Sequence, residues 1–391
     1  MTFYLIVLVT IVTHMAFKGS KVLIALFAID LGANPFAIGI LFSMYSIFPV
    51  FLSVYAGKIS DRLGFRAPML FGSIGLSAGL ALPYLAPQLP ALYVSAALVG
   101  MCYIFYVVSV QHLVGAFGEG SARTRNYSLF STGVGVAALL GPTTAGFGID
   151  LIGHRATYLL FALLPVLSIM VLAVFPGFLP RPHVKARERH EHRVMDLINI
   201  VPLRRALITA GILETGNELV NFVMPLYGHS RGMSASQIGI IMGVFALALL
   251  LVRLVLPALV KRSSEERVLS VSLFLAGLTC LAFPFVASFP LLLAMAFLLG
   301  LGLGCGAPVS LILAYNRSPA GRSGEAIGLR QTVNKAIEVV VPVLFGSIGT
   351  VFGMIPIFWL DALMLAGGGW IMHRDSKVPT SAVHPALGGK V

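Results

Sequence analysis

The chain has 391 residues, 58% of them apolar and only 11% Asp, Glu, Lys or Arg, with a mean hydropathy of +0.93. Soluble domains run at about 45–50% apolar and about 25% charged, and disordered chains are poorer still in apolar residues, so both classes are excluded. The net charge of +12 invites a nucleic-acid reading, which the placement of the basic residues refutes below.

At about 20 apolar residues per membrane crossing, a chain of this length holds about a dozen spans. The first apolar run, 3–29, has no basic segment ahead of it and continues past two lysines to Asp30, unlike a secretory signal. It carries His14, Lys18 and Lys21, which helical spacing puts on one face. A second run, 36–56, leads into a polar loop at 57–66 reading Gly-Lys-Ile-Ser-Asp-Arg-Leu-Gly-Phe-Arg. There Gly57 permits a tight exit from the second helix. Asp61 can accept from backbone donors or pair with a basic neighbour, and Arg62 and Arg66 hold the loop at one membrane face. Runs at 67–86 and 91–117 follow, the latter with Gln111 and His112 near its end. The fifth run, 127–149, contains Gly133, Gly141-Pro142 and Gly146, small residues that let helices approach closely and a proline that removes a backbone donor. A sixth run covers 155–176.

The only long polar stretch, Pro180 to Arg205, carries seven basic residues and reads as a linker. The seventh run, 205–228, bears Glu214, Asn217, Glu218 and Asn221, again spaced for one helical face. Runs at 236–260, 267–287 and 290–315 are nearly pure hydrocarbon, with Arg253 close enough to its helix end to snorkel. The eleventh, 325–351, adds Arg330, Gln331, Asn334, Lys335 and Glu338; the twelfth, 354–373, has Asp361, read as a capping or pairing residue. Scattered Phe and Tyr are read as core or lipid-facing. Cys102, Cys280 and Cys305 fall in separate runs without metal-ligand spacing, so no disulfide framework, metal site or cofactor is expected.

The two sets of six repeat. Adding 200 to a residue number takes Ile38-Gly39-Ile40 to Ile238-Gly239-Ile240, Pro90 to Pro290, Gly100 to Gly300, Leu129 to Leu329, Thr132 to Thr332, Pro142 to Pro342 and Gly153 to Gly353. The predicted architecture is an all-α membrane protein of twelve transmembrane helices in two pseudo-symmetric six-helix bundles. The N-terminal bundle covers 1–179, a cytoplasmic linker 180–204, the C-terminal bundle 205–375 and a cytoplasmic tail 376–391. Parallel halves imply a pseudo-two-fold axis along the membrane normal and a site at the midplane.

Of the 27 Lys and Arg, five (Lys18, Lys21, Arg253, Arg330, Lys335) lie inside apolar runs, and two, Arg155 and Arg231, fall in one set of alternating loops. The other twenty lie in the opposite set or the tail. That bias places the basic loops and both termini in the cytoplasm. It leaves no single basic face for nucleic acid.

The 57–66 loop resembles the signature loop of the major facilitator superfamily, matching at Gly57, Asp61, Arg62, Gly64 and Arg66. Gly133, Gly141-Pro142 and Gly146 are similar to the glycine-proline motif of its antiporter branches. The chain as a whole resembles a bacterial-type transporter of the drug/metabolite efflux-like branch. The resemblance implies alternating access, a cavity lined by the first, fourth, seventh and tenth helices, and a gating role for the loop residues with Gly141 and Pro142. One feature departs from the pattern. Drug–proton antiporters carry an arginine four residues before a glycine in the fourth helix, and alignment on Gly100 puts Ala96 there.

Charges inside a bilayer are costly and face the protein interior or water, which makes them candidates for function. His14, Lys18, Lys21, Asn217, Asn221, Gln331, Asn334 and Lys335 are the substrate-binding candidates, and Glu214, Glu218 and Glu338 the proton-coupling ones. Three lysines facing three glutamates suit an anionic, zwitterionic or amphiphilic organic solute, with carboxylates available for proton exchange. No nucleotide-binding loop is present, so the expected drive is the proton gradient, with sodium the alternative ion. The reading is a secondary active exporter, monomeric, multi-pass, in a bacterial inner membrane, with no catalytic residues. Two alternatives stay open: a proton-coupled uptake symporter for an organic acid or amphoteric nutrient, and, in another class, a transporter-like receptor or intramembrane enzyme.

Overall fold

A computed structural model describes residues 2–116, 120–174, 194–319 and 322–377; linker residues 180–193 and tail residues 378–391 lie outside the described ones. The long helices are α1 (Thr2–Asp30), α2 (Pro35–Leu63), α3 (Arg66–Leu85), α4 (Leu89–Ala116), α5 (Gly120–Val174), α6 (Val201–Glu218), α7 (Met224–Ser230), α8 (Ala235–Arg262), α9 (Glu265–Ala282), α10 (Phe289–Gly304), α11 (Gly306–Asn316), α12 (Ser323–Phe352) and α13 (Ile355–Asp375). A π turn, Leu219–Val223, joins α6 to α7, and a short 3₁₀ turn, Val194–Asn199, precedes α6.

Among the described residues, ten stretches are long and apolar enough to cross a membrane. Two more complete the twelve. The stretch 125–174 is two spans meeting at Gly153, whose φ of +78° breaks helical geometry and favours a residue without a Cβ. The seventh span is α6, the π turn and α7 in series, and its polar residues lower its hydropathy. Large apolar side chains such as Phe51, Leu151, Leu254 and Leu363 are more than 70% exposed, which suits a surface facing hydrocarbon.

One expectation fails at the end of α2. The helix runs straight through Gly57 to Leu63 and is ended by Gly64, with φ +78° and ψ 179°. The tight turn therefore falls at the second glycine of the loop, because Gly57 keeps helical geometry and its hydrogen-bond ladder. At the other end of α2, Asn34 caps the helix by accepting from the Ala37 amide at 2.8 Å, with Pro35 as the first helical residue.

Two compact units emerge, and they do not coincide with the two repeats. The first holds α1 to α5 with Val220–Leu247 and Glu338–Met354; the second holds Ala248–Ile337, the α6 segment up to Leu219, and α13. Within the first unit the repeat becomes geometry. A Cβ on Gly39 would strike the Pro342 carbonyl, and one on Gly239 would lie 2.5 Å from the Pro142 carbonyl. One layer outward, a Cβ on Gly346 would lie 2.5 Å from the Pro35 carbonyl, and one on Gly146 would strike that of Ala235. Each contact is its partner's image at an offset of 200. α2 thus crosses α12 and α8 crosses α5, backbone against backbone, as small residues permit.

Candidate functional site

In the first unit the α1 face separates into different environments. His14 is 3% exposed; its Nδ1 lies 3.0 Å from the Thr10 carbonyl, and its ring meets Tyr103, Tyr106 and Phe130 edge-on. It packs inside the helices around it. Lys18 is half-buried where α1 crosses α5: a Cβ on Gly141 would lie 2.8 Å from the Met15 carbonyl and 3.1 Å from the Lys18 Cβ. Lys21, one turn on, is buried, with its Nζ 5.7 Å from the centroid of Phe42. An ammonium held over a ring face in a dry setting is stabilised by the ring's quadrupole.

Phe42, the ring beneath Lys21, belongs to a chain of aromatic contacts. Phe17 stacks on Tyr103 at 3.7 Å, Tyr45 meets Phe17 at 5.7 Å and Phe42 at 6.4 Å, and Phe42 meets Phe222 edge-on at 5.2 Å. Tyr45 donates to the Ser20 Oγ at 3.1 Å. A carboxylate borders the same helices: Ser46 donates to Glu338 Oε2 at 2.7 Å, and Ser43 donates to the Val339 carbonyl at 2.5 Å. Phe42, Tyr45 and Phe222 are buried, in line with the reading of such residues as core. The available signal was the helical spacing of Phe17 with Lys21 and of Phe42, Tyr45 and Ser46.

Phe222 and Asn221 sit on the π turn. Its i→i+5 geometry admits one extra residue, a feature that recurs at functional positions.

In the second unit, Glu214 Oε2 accepts from Asn334 Nδ2 at 3.3 Å, joining α6 to α12. Glu218 is buried, Asn217 donates to the Leu213 carbonyl at 3.3 Å, Gln331 is exposed, and Lys335 is half-buried. Arg330 donates to Ser310 Oγ at 3.0 Å and to the Ala307 carbonyl at 3.2 Å. The fully buried Asp361 accepts from Thr215 Oγ1 at 2.6 Å, which ties α13 to α6.

The Major Facilitator Superfamily model matches residues 6–213 and 206–388. The chain belongs to that superfamily. It is a multi-pass membrane transporter, and its relatives are transporters too. The multidrug resistance protein MdtG of Dickeya zeae is 24% identical over 338 residues, covering 83% of this chain and 80% of its own length. That of Escherichia coli O9:H4 is 25% identical over 352 residues, covering 87% and 85%. Among solved structures, a POT family transporter in complex with 5-aminolevulinic acid superposes with a TM-score of 0.80 at 14% identity, over 96% of each chain. A peptide transporter POT in complex with sulfate does so with 0.80 and 14%, over 95% of this chain and 94% of its own. At such identity these two establish the fold.

The superfamily loop has definite contacts here. Asp61 Oδ1 lies 3.5 Å from His112 Nδ1 on α4, both side chains largely exposed. Arg66 donates to the Leu172 carbonyl at 2.8 Å and the Ala173 carbonyl at 3.1 Å. Those carbonyls belong to the last described turn of α5. Arg62 is exposed in the last turn of α2. Sequence reasoning found these residues but not their partners, which sit on α4 and α5.

Proposed function

We propose that this transporter exports small amphiphilic organic solutes carrying an ionisable group, in exchange for protons. The observation that carries the reading is the buried Lys21 over Phe42, in a chain of rings running Tyr103, Phe17, Tyr45, Phe42 and Phe222, with Glu338 tethered by Ser46 on α2. Flat apolar surfaces bind the body of a solute, and one ammonium and one carboxylate select its charge. Export is favoured by the bacterial relatives named as multidrug resistance proteins. Glu214, Glu218 and Glu338 are the carboxylates inside the spans that we assign to proton exchange, with sodium the competing ion. Orientation follows the loop bias: both termini cytoplasmic in a bacterial inner membrane, the protein working as a monomer, and the bundles dividing at 1–179 and 205–375 around a linker.

Reconstitution into liposomes tests this. An imposed proton gradient is expected to drive a fluorescent amphiphile against its own gradient. Glu218→Gln is expected to abolish that accumulation while sparing exchange at equal concentrations. Lys21→Met is expected to raise KM for carboxylated substrates roughly tenfold, a loss of about 1.4 kcal/mol of binding. Accumulation driven equally well by sodium, or unaltered in both variants, would reject the assignment.

A further inference from the structure

At the end of the first unit that holds the α1–α2 and α7–α8 turns, one carboxylate is bound in an unusual way. Asp150 of α5 accepts from the Ala235 amide at 3.1 Å and from the Ser236 amide at 2.8 Å, using one oxygen for each. These are first-turn amides of α8, which have no partner within their helix and carry its positive dipole end. The helix does not depend on Asp150 for its start. Ser234 already caps it, with its Oγ accepting from the Gln237 amide at 3.2 Å while its own amide donates to Gln237 Oε1 at 3.1 Å. What Asp150 adds is a charged clasp from one repeat onto the other, 85 residues away in sequence.

The image of this contact at an offset of 200 is present and neutral. Thr350 Oγ1 of α12 accepts from the Phe36 amide of α2 at 3.0 Å, while Asn34 provides the local cap. Both clasps sit directly beyond the backbone crossings of Gly146 on Ala235 and Gly346 on Pro35. Any motion that opens this end must pull α8 from α5 and α2 from α12. It therefore breaks one charged clasp and one neutral one.

We propose that Asp150 is a positioning residue for transport: its charge on the α8 N-terminus holds the outer side closed and sets how often it opens. This rests on the orientation and alternating-access reading above, which makes this end external. Charge-assisted hydrogen bonds are roughly twice as strong as neutral ones, so the Asp150 clasp dominates its Thr350 counterpart.

Spin labels on cysteines at the exposed positions Leu31 and Ser230 report the opening as a distance distribution, with the full-length protein in liposomes. In Asp150→Asn the long-distance population is expected to rise roughly tenfold, in line with the loss of a hydrogen bond to a charged group. Thr350→Val is expected to raise it less. Gln237→Ala, which removes only the Oε1 that accepts from the Ser234 amide, is expected to lower thermal stability without shifting the populations. The double variant Asp150→Thr with Thr350→Asp moves the carboxylate to the α2 N-terminus and is expected to restore the closed population. Asp150→Asn with an unchanged distribution, or a double variant as open as Asp150→Asn, overturns the proposal. A native protein whose distances never respond to substrate would instead reject alternating access itself.

Discussion

The two repeats turn the same corner by opposite means. After α2, Gly64 makes the turn and Arg66 captures the Leu172 and Ala173 carbonyls of α5. After α8, the equivalent position is Ser264, which caps α9 by accepting from the Arg267 amide at 3.3 Å, followed by Glu265 and Glu266 in the first turn. Glu266 receives Arg317 at 3.1 Å, and Arg317 also binds Asp375 at 2.8 Å and the Pro202 carbonyl at 3.0 Å. At an offset of 200, Asp61 corresponds to Lys261 and Arg66 to Glu266. The same reversal runs inside the spans, where Lys18 corresponds to Glu218. Backbone geometry was kept, as in the positive-φ pairs Gly32 with Gly232 and Gly153 with Gly353. Charge was not. The duplication preserved the scaffold and let each half assemble its own electrostatics.

The strongest way to break this comparison is at Arg317. Its side chain is 5% exposed and serves two carboxylates, one of them, Asp375, 8% exposed. Arg205 also reaches Asp375 at 2.6 Å but is 45% exposed. Arg317→Ala leaves buried charge uncompensated, and removing one partner of such a pair costs about 3–5 kcal/mol. Thermal unfolding in detergent should show the largest fall in Tm of any variant considered, with poor yield of folded protein. A near-native Tm would mean that the network is decorative. Arg66→Ala is next, at about 1–3 kcal/mol, because it releases two carbonyls from a partly exposed cation. Arg66→Lys is expected to recover little, since an ammonium lacks the fork that reaches both acceptors.

Much of this was legible in the residues themselves. Twelve spans, the offset of 200 and the polar faces of the first, seventh and eleventh runs follow from periodicity and charge. The partners did not follow. Helical spacing says which residues share a face, not which helix that face meets, so Asp61 with His112, Ser46 with Glu338 and Lys21 over Phe42 stayed hidden. The π turn at Leu219–Val223 left no compositional mark either. Asp150 went unnoticed because a lone acid at a span's end looks like any loop residue until its donors are seen.

The two glycines of the loop offer a sharper test, with opposite signs expected. Gly64→Ala places a Cβ on a backbone at φ +78° and ψ 179°, a region essentially reserved for glycine, and should cost about 1–2 kcal/mol. Gly57→Ala should be neutral or stabilising by up to about 1 kcal/mol. The position is helical, and the nearest neighbour of a new Cβ is Val108 Cγ1 at 3.9 Å. Paired Tm measurements on the two variants decide it. A larger loss at Gly57 would return the turn to the first glycine.

Asp61→Asn should have the smallest effect on stability and is the most informative about the loop. Its contact with His112 is 3.5 Å long and largely exposed, with side chains 60% and 47% accessible, and it is an ion pair only when the imidazole is protonated. Exposed pairs contribute about 0–1 kcal/mol, so the Tm should scarcely move, unlike that of Arg66→Ala. Transport is a separate matter. If the Asp61 charge acts on the conformational cycle, as the superfamily loop is proposed to do, Asp61→Asn slows solute movement in liposomes while the protein remains folded. His112→Gln then tests the partner. A like slowing places the action in the α2–α4 contact, and normal transport places it in another group that Asp61 meets during the cycle. Unchanged transport in Asp61→Asn would leave Arg66, with its grip on the Leu172 and Ala173 carbonyls of α5, as the part of the loop that matters here.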